Sequence, residues 1–212
     1  MAEIVPAILT SEFSDYAEKM DSLAGITNRV QVDIIDGKFV NNQTISMESL
    51  KNIETNLQID LHLMVKEPER WVNRALEILP DRLIGQVEMM FDPLKFINET
   101  VGGGMGVGLA LDLETAVETI SDEIYHMVDL VLVLAAKAGF SGQGFNEKAL
   151  AKIEKIRKIV GDLVDVGVDC GLDEETIPLC QKAGANIFYV TSSFWQTENL
   201  AKRYQELTSL IA

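Results

Sequence analysis

One pattern limits what this chain can fold into. Short apolar runs rich in β-branched residues alternate with amphipathic stretches, and they do so eight times in 212 residues. Strands are expected over 4–9, 29–35, 57–64, 82–89, 106–111, 128–134, 163–169 and 186–190, from period-two or continuous apolar patterning. Helices are expected over 12–23, near 46–54 and 68–79, over 94–100, 114–120, 147–159 and 174–183, and near 198–211. Strands that alternate with helices of this length imply a parallel sheet. Eight such units in a chain of this size fit a (β/α)8 TIM barrel. The rival doubly wound sheet would carry a Gly-rich turn after its first strand; here that strand runs into Leu9-Thr10-Ser11-Glu12-Phe13. No linker or low-complexity tract breaks the pattern, so 1–212 reads as a single barrel domain.

The charge balance narrows the partners. A net charge of -15 argues against nucleic acid, which calls for a basic face, and against anionic membrane surfaces. A small phosphorylated substrate stays open, because backbone N–H groups can hold phosphate without net positive charge. Two cysteines, Cys170 and Cys180, make no disulfide framework, and a reduced cytoplasmic setting is expected. No basic n-region followed by an apolar h-region opens the sequence, and no run is long enough to span a membrane. With two histidines, His62 and His126, a metal site of several histidines is impossible.

Barrel chemistry gathers at the C-terminal ends of the strands. Those ends hold Asp33, His62, Glu88, Asp112, the 139–144 loop, Asp169 and Thr191–Ser193. Two carboxylates facing one substrate are what a two-base epimerase needs. One removes a proton and the other returns it on the opposite face of a planar intermediate. The plainer alternative is that each aspartate caps a strand end. His62 sits between Leu61 and Leu63 and points away from them, which favours the barrel interior.

Several segments then resemble one family. Val5-Pro6-Ala7-Ile8-Leu9 resembles the Ser-Pro-Ser-Ile-Leu opening of ribulose-phosphate 3-epimerases. The segment from Gln31 to Asn42 (QVDIIDGKFVNN) resembles their His-Val-Asp-Val-Met-Asp-Gly-His-Phe-Val-Pro-Asn. Asp60-Leu61-His62-Leu63-Met64, Glu67-Pro68-Glu69-Arg70-Trp71, Gly139-Phe140-Ser141-Gly142-Gln143 and Val168-Asp169-Cys170-Gly171 match further family motifs in order. The likeness runs nearly end to end.

The resemblance implies a ribulose-phosphate-binding barrel that inverts C3 of a phosphorylated ketopentose, exchanging D-ribulose 5-phosphate and D-xylulose 5-phosphate. It makes Asp33 and Asp169 the acid–base pair and His62 their assistant. It also makes Asp33, His62 and Asp169 metal ligands, with Gln31 in place of a family histidine. A divalent ion (Zn, Mn or Fe) is then expected to bind more weakly, since amide oxygen suits harder ions. Without an ion, His62 and Lys137 are the available cations. Gly142, Gly171, Ser192 and Ser193 would bind phosphate through backbone N–H groups; Met64 would line the mouth, and Asp36 would orient the loop after strand two. Ser192-Ser193 also reads as an N-cap for the last helix.

Departures from the family include Ala7, Ile35, Gln86, Asp112, Cys170 and Thr191. The last two stand where the family has glycine and would exclude any turn needing positive φ. Cys170 has no base partner for nucleophilic work, so it reads as packing. The expected partner is a small phosphosugar, in a homo-oligomer. Two other readings stay open: an epimerase of a related ketohexose 6-phosphate, and a catalytically inactive phosphosugar-binding or assembly barrel. A superfamily decarboxylase needs Asp-x-Lys on strand two, and Asp33-Ile34-Ile35 lacks the lysine.

Overall fold

The computed structural model describes residues 2–211. Eight parallel strands close a barrel in chain order: β1 (Glu3–Ile8), β2 (Arg29–Ile35), β3 (Gln58–Met64), β4 (Arg82–Gln86), β5 (Gly106–Leu111), β6 (Leu130–Leu134), β7 (Asp165–Asp169) and β8 (Ile187–Val190). β8 pairs back onto β1, with Glu3 opposite Ile187 and Pro6 opposite Val190. The expected architecture is the observed one. β4 ends earlier than its apolar run, because Val87–Met89 tightens into a 3₁₀ turn.

Both faces of every strand are covered, which explains the near-continuous apolar runs. Alternate residues point to opposite faces. Val30, Val32 and Ile34 of β2, with Leu61 and Leu63 of β3, pack outward under the helices. Val5, Ala7, Ile84, Ala110, Leu130 and Leu132 fill the interior. Gln31 and Asp33 share the inward register of β2, and Asp60 and His62 that of β3, where Asp33 stands opposite His62.

The helices are α1 (Phe13–Ser22), α2 (Val72–Ala75), α3 (Pro93–Gly102), α4 (Asp122–Tyr125), α5 (Lys148–Val160), α6 (Thr176–Ala183), α7 (Ser192–Trp195) and α8 (Leu200–Ser209). α5 buries Ala149, Ile153, Ile156 and Val160, the spacing of one helical face. Two expected α-helices are instead 3₁₀ turns, Met47–Asn52 and Val117–Thr119. Their apolar residues recur every three positions (Met47, Leu50, Ile53; Val117, Ile120), which is the 3₁₀ period and not 3.6. The stretch expected as a helix near 68–79 is a 3₁₀ turn, Pro68–Arg70, followed by the single turn of α2. Ser192-Ser193 does not cap α8: Ser192 opens α7, and Asn199 caps α8 by accepting from the Lys202 N–H at 2.9 Å.

Polar groups also meet at the opposite end of the barrel, where the strands begin. Asp60 is fully buried. It accepts from the Tyr189 hydroxyl at 2.7 Å and from Arg29 Nη1 at 3.0 Å, with Arg82 Nη1 at 3.7 Å. Arg82 Nη2 continues to Asp165 Oδ2 at 3.1 Å. Burial, and then the Asp60 charge, push the Tyr189 phenol well above its ordinary range.

Candidate active site

The strand ends bring Asp33, His62 and Asp169 together. All three are buried, and one ligand-capable atom from each lies within 4.8 Å of the others. Gln31, two residues before Asp33 and therefore on the same face, joins them. Its Nε2 donates to Asp33 Oδ1 at 3.0 Å and to Asp169 Oδ2 at 2.8 Å. One amide thus bridges two acids that are far apart in the chain. His62 Nδ1 meets Asp33 Oδ1 at 3.0 Å, and the Cys170 backbone N–H donates to Asp169 Oδ1 at 2.6 Å.

Desolvation, and then the Asp33 carboxylate beside it, push Asp169 up to about 6; His62, Gln31 and the Cys170 N–H pull the other way. Burial wins because no arginine or lysine faces the pair to repay the lost hydration.

The mouth above these acids opens as a pocket with about 480 Å³ of empty space, part of it open solvent. Met64 lines it, as do Gly142, Gly171 and Ser192. Ser193 is placed otherwise: its Oγ is buried without a partner, and its carbonyl accepts from Arg203 Nε at 2.7 Å. Lys137 is exposed and does not line the pocket, so it is not the spare cation of the site. Asp36 organises the loop after β2, accepting from the Lys38 and Phe39 N–H groups and reaching the Lys66 N–H at 3.0 Å. That loop crosses the mouth, and Asn42 Nδ2 donates to the Gly139 carbonyl at 2.6 Å.

Cys170 departs from expectation. It holds φ at +77°, so a side chain at this position did not exclude the left-handed turn. The next residue shows why the turn persists: a Cβ at Gly171 (φ +68°) would lie 2.4 Å from the Phe145 backbone nitrogen. Cys170 lines the pocket as well as packing. Burial, then the Asp169 and Asp33 charges, raise its thiol well above the usual range, so it stays protonated and is a poor nucleophile.

Sequence reasoning noted Gln86 as a departure from the family but gave it no role. It is fully buried at the end of β4 and touches His62 Nε2. Its inward register beside His62 was the available signal.

The sequence that builds this site matches a known group of proteins. The ribulose-phosphate 3-epimerase family model matches residues 3–195. The chain belongs to the ribulose-phosphate 3-epimerase family. It is 29% identical over 216 residues to ribulose-phosphate 3-epimerase of Bacillus subtilis, with 98% of each chain covered. It is 31% identical over 200 residues to the cytoplasmic isoform of Oryza sativa, covering 92% of this chain and 87% of that one. Among solved structures it resembles 3-hexulose-6-phosphate synthase, with a TM-score of 0.70 at 19% identity over the full length of both chains. It also resembles orotidine 5'-phosphate decarboxylase from Pyrococcus horikoshii, with a TM-score of 0.69 at 11% identity and 99% coverage of each; these two show the shared barrel. No helix among the described residues is long and apolar enough to cross a membrane.

The family implies a divalent metal, and the donor set accommodates one. Asp33, His62 and Asp169 supply three ligand atoms. Gln31 Oε1 is buried without a hydrogen-bond partner, so a turn of that amide would supply a fourth.

Proposed function

We propose that this chain inverts C3 of a phosphorylated ketopentose, exchanging D-ribulose 5-phosphate and D-xylulose 5-phosphate, with Asp33 and Asp169 as the two bases. The observation that carries this reading is the pair of buried carboxylates bridged by one amide. Inversion beside a ketone requires one group to take the C3 proton and another to deliver a proton to the opposite face of the enediolate. Two acids on β2 and β7, with β1 and β8 between them, reach one mouth from different sides and suit that task. Burial, and then the Asp33 charge beside it, raise the Asp169 carboxyl, so Asp169 is disposed to hold a proton.

Asp33, His62 and Asp169, with Gln31 as a fourth group, would hold a divalent ion. Zinc, manganese or iron suits the carboxylate and imidazole donors, and the amide oxygen shifts preference toward the harder ions. When bound, the ion supplies positive charge that favours the enediolate oxygens. The phosphate would lie against backbone N–H groups at Gly142, Gly171 and Ser192, which need no net positive charge. Met64 and the Asn42–Gly139 crossing stand on the mouth side of the acids.

The test is epimerisation of D-ribulose 5-phosphate in deuterated water, with EDTA and then with each ion restored. Deuterium should enter at C3. Asp169→Asn should lower turnover by about 10²–10⁴-fold, the usual contribution of a positioned acid or base. Absence of turnover with every ion, together with retained sugar-phosphate binding, would replace this reading with an inactive phosphosugar-binding barrel.

A further inference from the structure

The amide of Gln86 is held from one side by groups that can only accept. Its nitrogen faces Glu88 Oε2 at 2.6 Å and the Ala110 carbonyl at 3.2 Å, and its oxygen faces His62 Nε2 at 3.1 Å. The opposite orientation would set the amide oxygen against two acceptors, so the neighbours assign it. Neither anchor is loose. Ala110 stands opposite Gln86 in the β4–β5 ladder, and Glu88 is itself held by the Asp112 N–H at 2.7 Å.

An amide oxygen can only accept, so it calls for a hydrogen on His62 Nε2. In neutral imidazole one nitrogen donates and the other accepts. The nitrogen left with its lone pair is then Nδ1, which points at Asp33 Oδ1 3.0 Å away and into the three-residue cluster. Two acceptors facing each other at that distance leave a natural place for a cation.

We propose that Gln86 is a positioning residue: it fixes His62 in the Nε2–H form and makes Nδ1 the ring nitrogen through which the site takes a divalent cation. Partners of this kind set both the tautomer and the ring orientation of a ligating histidine, and removing one typically weakens metal binding about 10–100-fold. The inference deepens the epimerase reading and rests on it for its use, but its readouts do not need turnover.

The chain has two histidines, His62 and the exposed His126, so a ¹⁵N-histidine spectrum is simple to assign. In the zinc-loaded protein, His62 should show a protonated Nε2 and an unprotonated Nδ1. Gln86→Met, which keeps length but loses the acceptor, should bind zinc about 10–100-fold more weakly in competition with a chromophoric chelator. Glu88→Ala leaves the Ala110 anchor in place and should show a smaller loss. If Gln86→Met does not fold, the spectrum of the unaltered protein decides. A proton on Nδ1 of His62 overturns the proposal, as does a folded Gln86→Met with unchanged zinc affinity. The expected tautomer and affinity loss in a protein that epimerises nothing would instead overturn the functional reading and leave this one standing.

Discussion

The two ends of the barrel each bury acids, and they treat them differently. At the strand starts, Asp60 has Arg29 at 3.0 Å, Arg82 at 3.7 Å and the Tyr189 hydroxyl at 2.7 Å. At the strand ends, Asp33 and Asp169 share an amide, an imidazole and a backbone N–H, with no arginine or lysine. The first arrangement neutralises its charge and braces the fold. The second leaves charge underpaired at an open pocket, a cost that folding alone does not explain. Reading the two ends together separates structural acids from chemical ones more sharply than burial does, since all three aspartates are buried.

The largest effect on stability should come from the braced end. Asp60→Ala strands Arg82 and Arg29 without their shared anion and should cost about 3–5 kcal/mol in urea unfolding. A cost near zero would dissolve the contrast between the ends. Next is Asp169→Asn in metal-free protein. Asp169 is raised to about 6 in the folded state, above the unfolded carboxylate range. Its protonated form is therefore favoured by folding, and that contribution, complete below the unfolded pKa, is lost as pH rises through about 6. The variant should match the unaltered protein at low pH and exceed it by on the order of 2 kcal/mol above pH 7. Equal stability across the range would mean that the mouth is as well compensated as the floor. The smallest effect belongs to Cys170→Gly. Relief of a left-handed side-chain residue, less the added freedom of glycine in the unfolded chain, should raise stability by about 1 kcal/mol. No change in melting temperature would show that the turn carries no strain.

Much of the fold was legible because the signals were strong and local. β2 and β5 have the bounds that apolar patterning assigns, and α5 follows its 3.6-residue stripe. The misreadings fall where the local period is three. Met47, Leu50 and Ile53 suggest a helix, yet their spacing of three matches the 3₁₀ turn they build. The site was legible in part. Asp33, His62 and Asp169 announce themselves as acids and a histidine at strand ends. Gln86 does not, because an amide becomes informative only when its neighbours are known to be Glu88, Ala110 and His62. Cys170 was misread because a side chain argues against a left-handed turn locally, while Gly171 packed against Phe145 enforces that turn from a distance.

Tyr189 belongs to both ends. Its hydroxyl is anchored on Asp60, while its ring forms part of the pocket wall. A bound sugar that leans on this ring would press against a pile driven into the arginine-braced base. The seat for the substrate would then be as stiff as the foundation beneath it, and wear at the base would be felt as looseness at the seat.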